Sequence, residues 1–350
     1  MNPVRLLAGA PALAQWTLVG GRSARAPFAW RAQLRWQAWW FERLQRQQAA
    51  RLLRPRPQRD PVFVLGLWRS GTTLLHEWLA ALPGHASPAT WQCFSPASFL
   101  LTGPPSDLDA QLPRPMDGGH IRVGAPQEDE FALLLQGAPS LYRGFVDPRR
   151  LSALANELLD TDDRGWLAAW LQFLAGVEAQ AEPRRLVLKS PNHSFRVEAL
   201  AETFPAAQFV WIGRPAAQIW DSNLKMWRAM FDTYALWPCP AGALESFLAQ
   251  CVRRYIERLQ WAVARLAPER VQWVDFDELY ERPGRLLQRL WAGLDTGAGL
   301  GDAELSNALS TQNAQPPSTA TDAAREPELA SLFLALDAAQ LQARQSWSHR

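Results

Sequence analysis

Past residue 60 the chain alternates between short apolar runs and longer stretches with helical spacing. PVFVLG (61–66), RLVLK (185–189), QFVWIG (208–213) and RVQWVDF (270–276) are brief and rich in β-branched and aromatic residues. Such runs predict strands buried on both faces. Each leads into apolar residues spaced three and four apart: a helix after Gly66 that closes at Pro83-Gly84, then patterns near 193–203, 215–229 and 277–294. Further helices are expected from EDEFALLLQG, over 162–180 and over 241–266. Strands alternating with helices predict a parallel sheet with right-handed crossovers, an α/β fold. Residues 103–126, rich in proline and glycine, show no period and predict a long irregular loop, usually functional or mobile in a compact domain. Residues 305–326 read as a polar, low-complexity linker before a last helix near 327–343. Ahead of the first strand, Trp30, Leu34, Phe41, Leu44 and Leu52 fall near one helical face, and Pro55 and Pro57 end that helix. The expected organisation is a helical arm over 1–59, a catalytic domain over 60–300, and a linker with a C-terminal helix packing on the core over 301–350.

Composition narrows the classes. The chain has 350 residues, 48% apolar and 20% charged, which excludes a disordered or collagen-like protein. No run of apolar residues is long enough for a conventional membrane-spanning helix. The three cysteines, Cys93, Cys239 and Cys251, show no C-x-x-C spacing, which argues against a disulfide framework or a cysteine-based zinc site and fits a reducing cytoplasm. The histidines include no H-E-x-x-H pair. An A-L-A near the N-terminus resembles a signal-peptide cleavage site, but Pro11 interrupts the apolar stretch and the unpaired cysteines argue against export.

The formal charge of +2 hides an asymmetry. Residues 1–59 hold 11 arginines against one acid, Glu42, a net +10; the rest holds 25 basic and 33 acidic side chains, a net −8. Five of the 18 tryptophans lie in the arm. That mixture suits an anionic membrane surface, the inner face for a cytoplasmic protein, or packing against the acidic body. Nucleic acid is disfavoured, because nothing outside the arm is basic. Only two of the 36 basic residues are lysine, Lys189 and Lys225, and arginine cannot mimic a compact, movable ammonium. A specific demand is therefore expected where lysine is kept.

The chemistry concentrates after the first strand. Gly66-Leu67-Trp68-Arg69-Ser70-Gly71-Thr72-Thr73 stands between strand and helix as G-x-x-x-x-G with two threonines. Loop N–H groups and a helix N-terminus make an anion cradle there, in a P-loop-like three-layer α/β/α arrangement. The lysine that a nucleoside triphosphatase needs is replaced by Thr72, which disfavours ATP or GTP hydrolysis.

PVFVLGLWRSGTTLLHEWL resembles the 5′-phosphosulfate loop of the sulfotransferase family, whose donor is 3′-phosphoadenosine 5′-phosphosulfate (PAPS). RLVLKSPNHSF resembles its strand-end lysine loop, FPAAQFVWIGRPAAQIWDSN its 3′-phosphate segment, and VQWVDFDELYERPGRLLQRLWAGL the block near the end of its core. GAPQEDEFALLL resembles an acidic helix start in bacterial relatives of the carbohydrate and tyrosyl-protein branches. The chain departs from the pattern at Trp68, where the family prefers proline or a small residue, and at Arg214-Pro215, which lacks the usual aspartate. The glutamate that tyrosyl-protein relatives carry after the first helix has no counterpart in PATWQCF.

The resemblance implies donor contacts from Arg69, Ser70, Gly71, Thr72 and Thr73 at the 5′ side and from Arg214 and Ser222 at the 3′-phosphate. It implies that Lys189 steadies charge on the leaving oxygen, and that His193 caps a helix or meets substrate. Glu128 is the expected general base, with His120 the next candidate. No metal is expected, since PAPS carries no polyphosphate tail. The implied reaction moves a sulfonyl group in line to an acceptor hydroxyl of a sugar, lipid, tyrosine or small alcohol. Two other readings compete: a P-loop kinase or NTPase with a metal-binding acid in VQWVDFDE, and a non-catalytic nucleotide-binding adaptor.

Overall fold

The structure, a computed structural model, describes residues 28–52, 56–159, 164–181, 184–294, 299–310 and 327–347. The stretch resembling a signal peptide lies outside them. All four apolar runs are strands: β1 (Val62–Leu65), β5 (Arg185–Lys189), β6 (Gln208–Gly213) and β7 (Val271–Asp275). A two-residue edge strand, β2 (His85–Ala86), completes a five-stranded parallel sheet in the order β2-β5-β1-β6-β7. Two residues carry no periodicity, so β2 is invisible in the sequence.

The chain divides into two compact units. The sheet unit takes described residues within 59–87, 183–226 and 241–350. Alternate strand residues face opposite ways, and both faces are covered. Val62, Val64, Val210, Ile212 and Val274 meet Leu75 and Leu79 of the helix Thr72–Ala80 and Leu287 and Leu290 of the helix Pro283–Gly293. Burying each leucine stabilises by roughly 1.5–3 kcal/mol. On the other face Phe63 stacks on Phe209 at 5.5 Å. Trp211 there donates its indole N–H to Tyr255 of the helix Ala243–Arg265 at 2.6 Å and lies 5.8 Å from Trp347 of the helix Pro327–Trp347. The expected α/β/α layering is thus observed.

The segment 302–310, expected in a polar linker, instead contains the helix Asp302–Leu309. Its Ala308 is buried in the core and Leu305 and Leu309 pack beside it, an apolar spacing of three and four masked by polar neighbours. The Glu304 carboxylate accepts the Gly301 N–H at 2.8 Å and caps the first turn. Residues 311–326 lie outside the described part.

The second unit takes described residues within 1–58, 88–182 and 227–240 and is mostly helical. It contains the helix Phe28–Ala49 and the helices Glu130–Gln136, Leu151–Leu159 and Leu167–Gln180. The 103–126 segment is not wholly irregular. Its β3 (Gln111–Pro113) and β4 (His120–Arg122) pair antiparallel, a ribbon too short to leave a period among prolines and glycines.

His85 gives the sheet unit an acid-sensitive edge. Its ring is buried, edge-on to Trp291 at 5.6 Å, and desolvation followed by the charge of Arg185 pushes its pKa down to about 4. The unfolded chain binds this proton below about pH 6.5, whereas the native state resists it until about pH 4. Stability is therefore full above the unfolded value and falls as pH drops through that window, by about 3 kcal/mol from this residue. Chemical denaturation of His85→Phe against the parent between pH 7 and pH 4 should show a flatter pH dependence in the variant; identical slopes would refute this origin.

Candidate functional site

β1 ends at Leu65, and the chain turns through residues 66–71 into the helix Thr72–Ala80. Gly66 and Gly71 hold left-handed φ values of 155° and 91°. An added Cβ would lie 2.5 Å from Ser70 Oγ at Gly66 and 2.6 Å from Leu279 Cδ1 at Gly71, so neither position admits a side chain. Arg69, at φ 69°, is the one non-glycine residue with positive φ among the described residues. An arginine there costs about 1–3 kcal/mol and persists only where its surroundings hold it. They do: Arg69 Nε donates to Ser222 Oγ at 3.1 Å, and the Arg69 carbonyl accepts from Arg214 Nη1 at 2.6 Å.

Three more residues brace the loop. Ser70 donates its hydroxyl to the Leu67 carbonyl at 2.7 Å, so it closes the turn from within. Ser194 Oγ accepts the Gly66 N–H at 2.9 Å and donates to the Gly66 carbonyl at 3.1 Å. Asn223 Nδ2 donates to the Trp68 carbonyl at 2.8 Å. Trp68 is buried against Phe195, 5.5 Å between ring centres, which accounts for a tryptophan where a small residue was expected.

Thr72 is buried at the helix start, and Thr73 Oγ1 accepts from Lys189 Nζ at 3.2 Å. Lys189 ends β5 and is buried, whereas Lys225 is exposed. Arg214 follows β6, and its guanidinium lies 4.2 Å over the Phe276 ring. Burial, then the positive charge of Arg69, lowers the Arg214 pKa. Gln340 grips the Arg214 backbone by both groups, accepting from its N–H at 2.9 Å and donating to its carbonyl at 3.0 Å. A cleft of about 690 Å³ opens beside Arg214, lined also by Trp273, Phe276, Asp277 and Arg344. Glycine turns without room for a side chain, a helix N-terminus and three cations suit phosphate and sulfonate groups.

The structure thus brings together Arg69, Ser70, Gly71, Thr72, Thr73, Lys189, Arg214 and Ser222. His193 is placed differently. It is fully buried with its ring edge-on to Phe63 at 5.8 Å, and the cap of its 3₁₀ turn is Ser190, which accepts the Asn192 N–H. Asp275, the first of the three acids in VQWVDFDE, accepts from Trp273 Nε1 at 2.9 Å and pairs with Arg344 at 2.9 Å. Asn223 sits beside Ser222 and Ser194 lies inside the lysine loop, so both were near motifs already noticed. Gln340 had no signal, because 126 residues separate it from Arg214.

Glu128 and His120 belong to the second unit. The helix begins only at Glu130, so Glu128 precedes it. Asp129 is buried and accepts from Trp170 Nε1 at 2.6 Å, and Glu130 is also buried. Of the three consecutive acids, Glu128 alone is partly exposed. Its carboxylate accepts the Tyr142 hydroxyl in a short hydrogen bond. Around that pair runs a ladder of rings: Phe94 on Phe131, Phe131 on Tyr142, Tyr142 on Phe145 and Phe145 on Trp227. His120 begins the exposed strand β4.

Fold and loop together define an α/β protein of the P-loop-like class, with a loop suited to phosphate or sulfonate groups. The chain belongs to the sulfotransferase family, whose model matches residues 61–297. It is 32% identical over 252 residues to the omega-hydroxy-beta-dihydromenaquinone-9 sulfotransferases Stf3 of Mycobacterium bovis and Mycobacterium tuberculosis. The match covers 70% of this chain and 64% of those relatives, somewhat less than two thirds of their length. Sulfotransferase STF1 of Mycobacterium tuberculosis H37Rv has a similar fold, with a TM-score of 0.60 at 20% identity over 91% of this chain and 83% of that one. STF9 of Mycobacterium avium gives 0.60 at 23% identity, over 83% and 76%.

Proposed function

We propose that the protein transfers the sulfonyl group of PAPS to a hydroxyl of a lipid acceptor. The observation that carries the donor assignment is the strained Arg69, held between Ser222 and Arg214 over a glycine turn. In this reading PAPS, a co-substrate, supplies an activated sulfonyl group on a good leaving group. The loop N–H groups and Arg69 bind its 5′ side, and Arg214 with Ser222 binds the 3′-phosphate. Lys189 holds a positive charge at the loop, where negative charge grows on the departing oxygen. Glu128 takes the acceptor proton, and Tyr142 positions its carboxylate. A lipid acceptor is supported by the name of the 32% identical relatives and by the half-buried Phe94 and Phe131, stacked beside the Tyr142 that meets Glu128. Incubation with sulfur-labelled PAPS and fractionated host extract tests it: the label should enter the solvent-extractable lipids, and label confined to aqueous glycans or peptides would refute the lipid assignment.

Arg214→Ala tests the donor assignment. A charge-assisted arginine–phosphate contact contributes about 1.5–3 kcal/mol, so the preference for adenosine 3′,5′-bisphosphate over AMP should shrink roughly 10- to 100-fold by calorimetry. Because Arg214 also holds the Arg69 carbonyl, the ratio of the two affinities is the reading that matters. A general collapse of the loop would weaken both ligands alike. Equal affinity for both in the parent protein would rule the assignment out.

A further inference from the structure

We propose that the helix Phe28–Ala49 seats the protein on an anionic lipid bilayer through Trp36, Trp39, Trp40 and Arg43. The helix has two unlike faces. At the 3.6-residue period these four fall within about 100° of arc. Phe41, Gln45 and Gln48 lie on the opposite side with Leu44 at its margin, and all four are partly or fully buried. Gln48 anchors that side, donating to the Pro96 carbonyl at 2.7 Å and accepting the Leu100 N–H at 2.9 Å. The outward side is where the large apolar rings stand. Trp36 is 60% exposed, Trp39 48% and Trp40 39%, large apolar rings gathered on the solvent side. The rings form one cluster, with edge-to-face contacts of 6.1 Å for Trp36–Trp40 and 5.2 Å for Trp39–Trp40, and Arg43 lies 5.8 Å from the Trp39 ring centre.

Charge selects the occupant. Arg43 and Arg46 are exposed on the turns that follow the rings, and Glu42 is the only acid in the first 59 residues. Exposed indoles flanked by arginines match a bilayer interface, where the rings sit at headgroup depth and guanidinium groups meet lipid phosphates. Among the described residues no helix is long and apolar enough to cross a membrane, so the contact is peripheral. The inference does not depend on the reaction, and its test contains no donor.

The full-length chain should co-sediment with mixed phosphatidylcholine–phosphatidylglycerol vesicles, less so at high salt, and not with phosphatidylcholine alone. Tryptophan emission should shift to the blue and be quenched by brominated acyl chains. The triple variant Trp36→Ala, Trp39→Ala, Trp40→Ala should bind roughly tenfold or more weakly, and so should Arg43→Glu with Arg46→Glu. Both should unfold at the parent's temperature, since the altered side chains are exposed. Failure of the parent to bind anionic vesicles, or undiminished binding by the tryptophan variant, overturns the proposal. So does a smaller oligomer for that variant in light scattering without any vesicle binding, which would make the face a contact between copies of this chain.

Discussion

Replacing Glu128 with glutamine should lower turnover by roughly 10²–10⁴-fold while leaving affinity for adenosine 3′,5′-bisphosphate nearly unchanged. The expectation rests on what the three consecutive acids do. If all merely complemented the helix N-terminus, each would contribute about 0.3–1 kcal/mol to stability and none would matter for rate. Asp129 instead accepts from Trp170, and Asp129 and Glu130 are both buried, which leaves Glu128 as the one partly open to solvent. Its hydrogen bond from Tyr142 orients the carboxylate. Tyr142→Phe should accordingly lower kcat by a smaller factor and leave affinity for adenosine 3′,5′-bisphosphate unchanged, a split that a tyrosine needed only for folding would not produce. Full activity in Glu128→Gln, with loss in His120→Asn, would move the role to His120. Full activity in both would show that neither is the base.

Lys189→Met should lower turnover about 10²–10³-fold, with a smaller loss of donor affinity, by removing a cation where charge develops in the transition state. The buried ammonium lies 3.2 Å from Thr73 Oγ1, so it is positioned against the loop before any substrate arrives. Lys189→Arg should recover little of this. A planar guanidinium needs more room than a buried ammonium at a strand end provides, and its donors are fixed in a fork. Lys225→Met is the matched control, because that side chain is exposed and should change nothing. Single-turnover kinetics separate the chemical step from binding; an equal loss in the control, or no loss at Lys189, would remove the lysine from the mechanism.

By itself the sequence determined the α/β class, the strands β1, β5, β6 and β7, and the loop that joins β1 to its helix. Those features are local: apolar runs four to seven residues long, and glycines at fixed offsets from a strand end. The strand-end residues Lys189 and Arg214 and the loop residue Arg69 were legible for the same reason, since the carboxyl ends of parallel strands gather on one edge of a sheet. Tertiary structure alone decided the rest. β2 exists because β5 offers a partner edge to His85 and Ala86, and the ribbon of β3 and β4 exists because two extended stretches meet. The 302–309 helix is held by burying Ala308, which no polar-looking stretch advertises. His193 went to the core against Phe63 although its motif could equally have offered it to a ligand. The left-handed Arg69 is a strain that Ser222 and Arg214 help to hold, and Gln340 reaches the Arg214 backbone from 126 residues away. Periodicity and spacing record what a residue owes its chain neighbours; contacts closed by the fold leave no such trace, because either partner alone is an ordinary polar side chain.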